Sequence, residues 1–116
     1  MKYFTLDEFD CPSLPNSGKN MDTNFLTKLE EAREIAGVPF KITSGYRTKE
    51  HNTKVGGVPN SSHLIGVAAD IAVSSGSERY TILSALIKAG FRRIGVAKTF
   101  IHCDTDPNKP NSVWTY

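Results

Sequence analysis

The chain has 116 residues, 39% of them apolar and 22% charged, which fits one globular domain spanning 1–116 and leaves no room for a second. Fourteen basic against twelve acidic residues give a net charge of +2, too small an excess for a charge-driven nucleic-acid partner. No uncharged apolar run approaches the roughly 18–20 residues that cross a bilayer, and acids stand within Met1–Asp10 where a secretion signal needs its apolar stretch.

Residues 10–20 are rich in turn formers and read as an irregular loop. Phe25, Leu26, Leu29, Ala32, Ile35 and Ala36 then recur at helical spacing, with Asp22 or Thr23 as N-cap and Gly37 as terminator. Phe40 and Ile42 alternate with polar neighbours in a strand pattern. Residues 45–66 hold four of the nine glycines and read as one long loop, a type of segment that more often carries function than not.

Val67–Val73 reads as a mostly buried strand interrupted by Asp70. Ser75 and Glu78 form a capping box for a second helix, whose buried face is Ile82, Leu83, Leu86 and Ile87 and whose end is Gly90. Short strands are expected near Arg93–Ala97 and Phe100–Asp104, followed by a turn-rich tail. Strands outnumber helices, and the last two are too closely connected for a parallel crossover. The expected class is therefore α+β, a small antiparallel sheet with two main helices.

Three histidines occur, at 51, 63 and 102. Asp70 follows His63 by seven residues and is the one charge inside an apolar strand. A buried carboxylate without a partner costs several kcal/mol, so Asp70 requires a cation, a cluster of N–H groups or a metal. Strand alternation puts Phe100, His102 and Asp104 on one face and Ile101 and Cys103 on the other. Two histidines and one carboxylate suit zinc, with the fourth tetrahedral position left for water. The same residues also fit plain structural roles, with His63 bonded in a loop, Asp70 capping a strand end and His102 satisfied in the core. Spacing alone leaves both readings open.

The ordered series Ser44-Gly-Tyr-Arg47, Asn52, Gly56-Gly57, Asn60-Ser-Ser-His63-Leu-Ile-Gly66-Val-Ala-Ala-Asp70-Ile and Phe100-Ile-His102-Cys-Asp104 resembles the zinc D-Ala-D-Ala carboxypeptidase and L-Ala-D-Glu endopeptidase family. That family shares its core fold with the hedgehog signalling domain. Phe4-Thr-Leu-Asp-Glu-Phe9 and Trp114 resemble short, often phage-encoded members. The resemblance implies one Zn2+ per chain held by His63, Asp70 and His102. It implies that Arg47 engages a substrate carboxylate or a developing oxyanion, and that Ser61 lines the substrate site. The implied substrate is a peptidoglycan stem peptide, cut by a metallopeptidase of carboxypeptidase or endopeptidase type. A monomer is expected, made in the cytoplasm without membrane insertion and reaching the wall after release or phage delivery, as an endolysin does.

One position departs from the family pattern. Many relatives carry an acid shortly before the second histidine as general base, and here Thr99 stands there. Asp104 is the nearest acid, able either to take the proton of an attacking water or to buttress His102. The departure also supports a reading of another class, a zinc-binding module that recognises wall peptides or a protein partner without cleaving. His51 reads as an exposed loop residue and Cys103 as core. Tyr46, Tyr80, Trp114 and Tyr116 read as buried rings or as the lining of a groove. With two cysteines, Cys11 and Cys103, and no disulfide framework, reduced thiols are expected.

Overall fold

A computed structural model describes residues 1–116. The elements in chain order are α1 (Thr23–Ala36), β1 (Ile42–Ser44), α2 (Lys49–Lys54), β2 (Ala68–Ala72), α3 (Gly76–Lys88), β3 (Arg93–Val96), β4 (Phe100–Asp104) and β5 (Ser112–Thr115), with short 3-10 turns between some of them. The strands form one sheet in the order β1-β2-β4-β3-β5.

Helix α1 begins where the Asp22 carboxylate accepts the Phe25 N–H at 2.9 Å, satisfying one of the N–H groups that a helix start leaves without a partner. It buries Phe25, Leu26, Leu29 and Ala32. Ile35, expected on the same face, is exposed, because at about 100° per residue it falls off the centre of that stripe. The N-cap of α3 is Ser75, whose hydroxyl accepts the Glu78 N–H at 3.1 Å. Ile82 and Leu86 are buried and Ile87 is exposed, again because it lies off the axis that the other two define.

The register gives the sheet two unlike faces. Ala69 lies opposite Cys103, Ile71 opposite Ile101, and Ile94 opposite Cys103, and these residues join the buried faces of α1 and α3 in one hydrophobic core. Period-two alternation sends Asp70, His102 and Asp104 to the other face.

The sheet corrects two expectations. It is mixed, because β5 pairs parallel with β3. No crossover helix is needed: β4 lies beyond β3, so the chain leaving β4 turns round the end of β3 and comes back along its free edge. The segment 45–66 is also more ordered than a plain loop. It contains α2, where Thr48 Oγ1 accepts the His51 N–H at 3.2 Å, and a 3-10 turn, Ser62–Ile65. No helix is long and apolar enough to cross a membrane.

Candidate metal centre

Four strands contribute to one row across the polar face. Asp70 on β2 lies opposite His102 on β4, His102 opposite Gly95 on β3, and Gly95 opposite Trp114 on β5. His63 approaches this row from the 3-10 turn that precedes β2. One ligand atom each from His63, Asp70 and His102 lie within 4.8 Å of one another, and all three residues are buried. These were the three residues named as ligands from the sequence, and the fold brings them together.

The hydrogen bonds around the histidines determine which nitrogens face inward. His63 Nδ1 lies 2.7 Å from the Gly45 carbonyl oxygen, which can only accept, so Nδ1 carries the proton and Nε2 is left free. That Nε2 stands 3.3 Å from Asp70 Oδ1. His102 is reversed: Nε2 lies 2.7 Å from Asp104 Oδ2, and Nδ1 lies 3.0 Å from Asp70 Oδ1. Two imidazoles thus turn their second ring nitrogen toward one carboxylate, each held from behind by an oxygen. That is the outer support seen in histidine metal sites.

The same contacts set the protonation of the cluster in the absence of a metal. Burial pushes the Asp70 carboxyl up, but hydrogen bonds from His102 and His63 outweigh it and hold the group well below the usual carboxylate range. Burial opposes charge on His102, and the carboxylates of Asp104 and Asp70 reverse that effect and raise its pKa. A cation at the focus of the cluster meets the same electrostatic demand, so the donor set fits a divalent metal with N and O ligands.

Arg47 reaches this cluster from the segment after β1. Its Nη2 lies 3.5 Å from Asp70 Oδ2, its Nε donates to Ser44 Oγ at 3.1 Å, and its Nη1 donates to Asn52 Oδ1 at 3.1 Å. Asn52 is buried on α2 and donates in turn to the Val58 carbonyl at 2.8 Å. Ser61 is buried beside His63, and its hydroxyl accepts the His63 N–H at 3.3 Å.

Asp104 is 1% exposed, and both of its oxygens are occupied. Oδ2 meets His102 Nε2, while Oδ1 accepts from Arg93 Nε at 2.7 Å and from the Asp106 N–H at 3.1 Å. It stands behind His102 and not at the focus of the cluster, so its geometry does not match that expected of a base acting on water there. Thr99 is exposed ahead of β4, and the cluster contains no further carboxylate. His51 lies on α2 outside the cluster. Cys103 is fully buried in the core, where burial pushes its thiol well up, and both cysteines are free. Tyr80 and Tyr116 are exposed, whereas Trp114 packs on the His102 ring with centroids 5.4 Å apart.

Sequence reasoning gave no role to the Gly45 carbonyl, to Arg93 or to Asn52. Arg93 was the most accessible of these: once β3 and β4 are read as a hairpin, alternation places it on the face of Asp104, and the register sets the two opposite each other.

The sequence matches the family described as Peptidase M15 over residues 2–104. The chain belongs to the M15 peptidase family. It is accordingly a metallopeptidase by family, and His63, Asp70 and His102 all fall within the matched span. Among solved structures, the L-Ala D-Glu endopeptidase ChiX of Serratia marcescens is similar in fold, with a TM-score of 0.59 at 17% identity over 76% of this chain and 82% of that one. A search of curated proteins finds no match.

Proposed function

We propose that this M15 member is a zinc-dependent peptidase that hydrolyses peptide bonds in peptidoglycan stem peptides, as a D-Ala-D-Ala carboxypeptidase or an L-Ala-D-Glu endopeptidase. The observation that carries the proposal is the buried cluster of His63 Nε2, Asp70 and His102 Nδ1 with the Arg47 guanidinium at its edge. The likeness in fold to an L-Ala D-Glu endopeptidase supports the choice of substrate.

His63, Asp70 and His102 would hold the ion. When bound, zinc supplies a Lewis acid for the scissile carbonyl and lowers the pKa of water toward about 7. Arg47 is half-buried and held by Ser44 and Asn52, so its guanidinium is prepaid in orientation for a stem-peptide carboxylate or a developing oxyanion. Ser61 shapes the turn that carries His63, and Asp104 keeps the Nε2 proton of His102 and so leaves Nδ1 as the ligand atom. Stem peptides are rich in carboxylates, and one placed arginine serves them without a basic surface.

A second reading has an observation of its own. With Thr99 in place of an acid and Asp104 committed to His102 and Arg93, no side-chain carboxylate is free to accept a proton at the cluster. A zinc module that binds wall peptides without cutting them has the same ligands.

Mass spectrometry of purified peptidoglycan incubated with zinc-loaded protein, beside a chelated control, separates the two. The expected result is new fragments that vanish with chelator, their masses showing loss of a terminal D-Ala or cleavage at L-Ala-D-Glu. An unchanged digest by protein with confirmed zinc would rule out the peptidase and leave the binding module.

A further inference from the structure

Strand β5 makes an unusual use of its one inward-facing ring. Val113, Thr115 and Tyr116 are exposed and Trp114 alone is half-buried. A tryptophan drawn into a sheet normally enlarges the core, yet Trp114 takes no part in the hydrophobic core between the sheet and its helices. Its indole crosses β3 on the opposite face and comes to rest on the imidazole of His102, with centroids 5.4 Å apart and planes at 47°.

That crossing depends on Gly95, which lies between the two residues in register. A Cβ there would stand 2.5 Å from Trp114 Nε1 and 2.6 Å from Cε2, closer than non-bonded atoms approach. Any other residue at 95 displaces the indole.

Arg93 closes the arrangement. Its guanidinium lies 5.0 Å from the centroid of the indole, and its Nε donates to Asp104 Oδ1 at 2.7 Å. Asp104 Oδ2 in turn meets His102 Nε2 at 2.7 Å. Trp114, His102, Asp104 and Arg93 therefore form a closed circuit of contacts, with a carboxylate on one edge of the imidazole and an indole against its ring. The ring of His63 meets His102 as well, with centroids 5.2 Å apart.

We infer that Trp114 is a positioning residue of the metal centre: it holds the His102 ring in its ligand orientation, and Gly95 is the gap through which it does so. The inference rests on the reading of His63, Asp70 and His102 as metal ligands. It concerns how tightly the site holds an ion, and it assigns Trp114 no contact with substrate. Groups that orient a ligating histidine contribute about 10–100-fold to metal affinity.

Trp114 is the one tryptophan in the chain, so its emission reports on this contact without a label. The wild-type apo-protein is titrated with Zn2+ and with Co2+, following emission while a competing chelator gives the affinity. The same competition is run on W114L, W114F, G95A and the double variant G95A/W114L, with urea midpoints of the apo-proteins to separate folding from binding.

Co2+ is expected to quench the emission in proportion to occupancy, since an open-shell ion held by His102 lies within reach of the excited indole. W114L and G95A are each expected to weaken Zn2+ about 10-fold, and W114F to recover most of the loss. The double variant should be no weaker than the worse single one, because both substitutions remove one contact. Wild-type affinity in W114L and G95A, or Co2+ uptake without quenching, would overturn the inference while leaving the metal site intact. Wild-type protein that takes up neither ion would overturn the metal reading itself and this inference with it.

Discussion

A carboxylate two residues beyond a metal-binding histidine has two uses, to accept the proton of an attacking water or to hold the imidazole from behind, and the two require different positions. Asp104 occupies the second. Burial pushes its carboxyl up, and His102, the Asp106 N–H and Arg93 together outweigh that and hold it below the usual range, the state of a permanent acceptor. In Asp104→Asn the shape remains and the charge goes, so His102 loses a charge-assisted partner. Zinc affinity should fall about 10-fold by chelator competition. Turnover at saturating zinc should fall by less than about 100-fold, the lower bound for losing a general base, and a larger loss at full occupancy would return Asp104 to the catalytic step. The sequence reached this point only in part. Alternation in Phe100–Asp104 suffices to put His102 and Asp104 on one face, because a strand has a period of two. Which nitrogen Asp104 holds depends on a side-chain rotation that no pattern encodes.

At the scale of elements, the bond between spacing and site is clearest at the junction of the Ser62–Ile65 turn with β2. The eight residues from His63 to Asp70 must leave a 3-10 turn, reverse and enter a strand, and Gly66 makes the reversal at φ 74°. Its carbonyl accepts the Asp22 N–H at 2.8 Å, which ties the junction to the start of α1. A Cβ at 66 would collide with the Asn20 carbonyl oxygen. Gly66→Ala therefore combines an unfavourable left-handed conformation with a backbone clash, and should cost about 2 kcal/mol or more, read as a lowered urea midpoint. It should weaken zinc as well, because the displaced segment carries His63; unchanged stability and affinity would detach Gly66 from the site. The helices α1 and α3 and the strands β2 and β4 were readable because each is long enough to show its period and bears a cap or an apolar run. Helix α2 was not, since Lys49–Lys54 contains no apolar residue to reveal a face. Strand β5 was hidden too: it joins the sheet through non-local pairing, and the residue that anchors it packs on a histidine in place of the core.

Across the whole molecule, α1 and α3 cover one face of the sheet and leave the other to chemistry, so the polar side must be held together by its own contacts. Asp106 joins its two halves. Its Oδ2 accepts from Ser62 Oγ at 2.7 Å across 44 residues of sequence and lies 3.4 Å from Lys109 Nζ, while Oδ1 accepts the Asn108 N–H at 3.0 Å. The exit of β4, which carries His102, is thereby fastened to the turn that carries His63. Burial pushes the Asp106 carboxyl up, and the Asn108 N–H, the Ser62 hydroxyl and Lys109 together bring it below its ordinary value. The sign follows from linkage. A folded-state pKa below the unfolded value of about 3.9 contributes stability above that pH, and the contribution is lost as pH falls through the folded value. Asp106→Asn removes it at every pH. Near neutrality the variant should be less stable by about 1–2 kcal/mol, the range for hydrogen bonds to a charged group that an amide replaces in part. Asp70 and Asp104 are present in both proteins, so their own acid sensitivity cancels in the comparison. Urea midpoints of the metal-free proteins from pH 7 down to about 3 should therefore converge on acidification, the wild type losing an advantage that the variant never had. Curves that stay parallel throughout would show that the Asp106 charge does not fasten the two halves of the site.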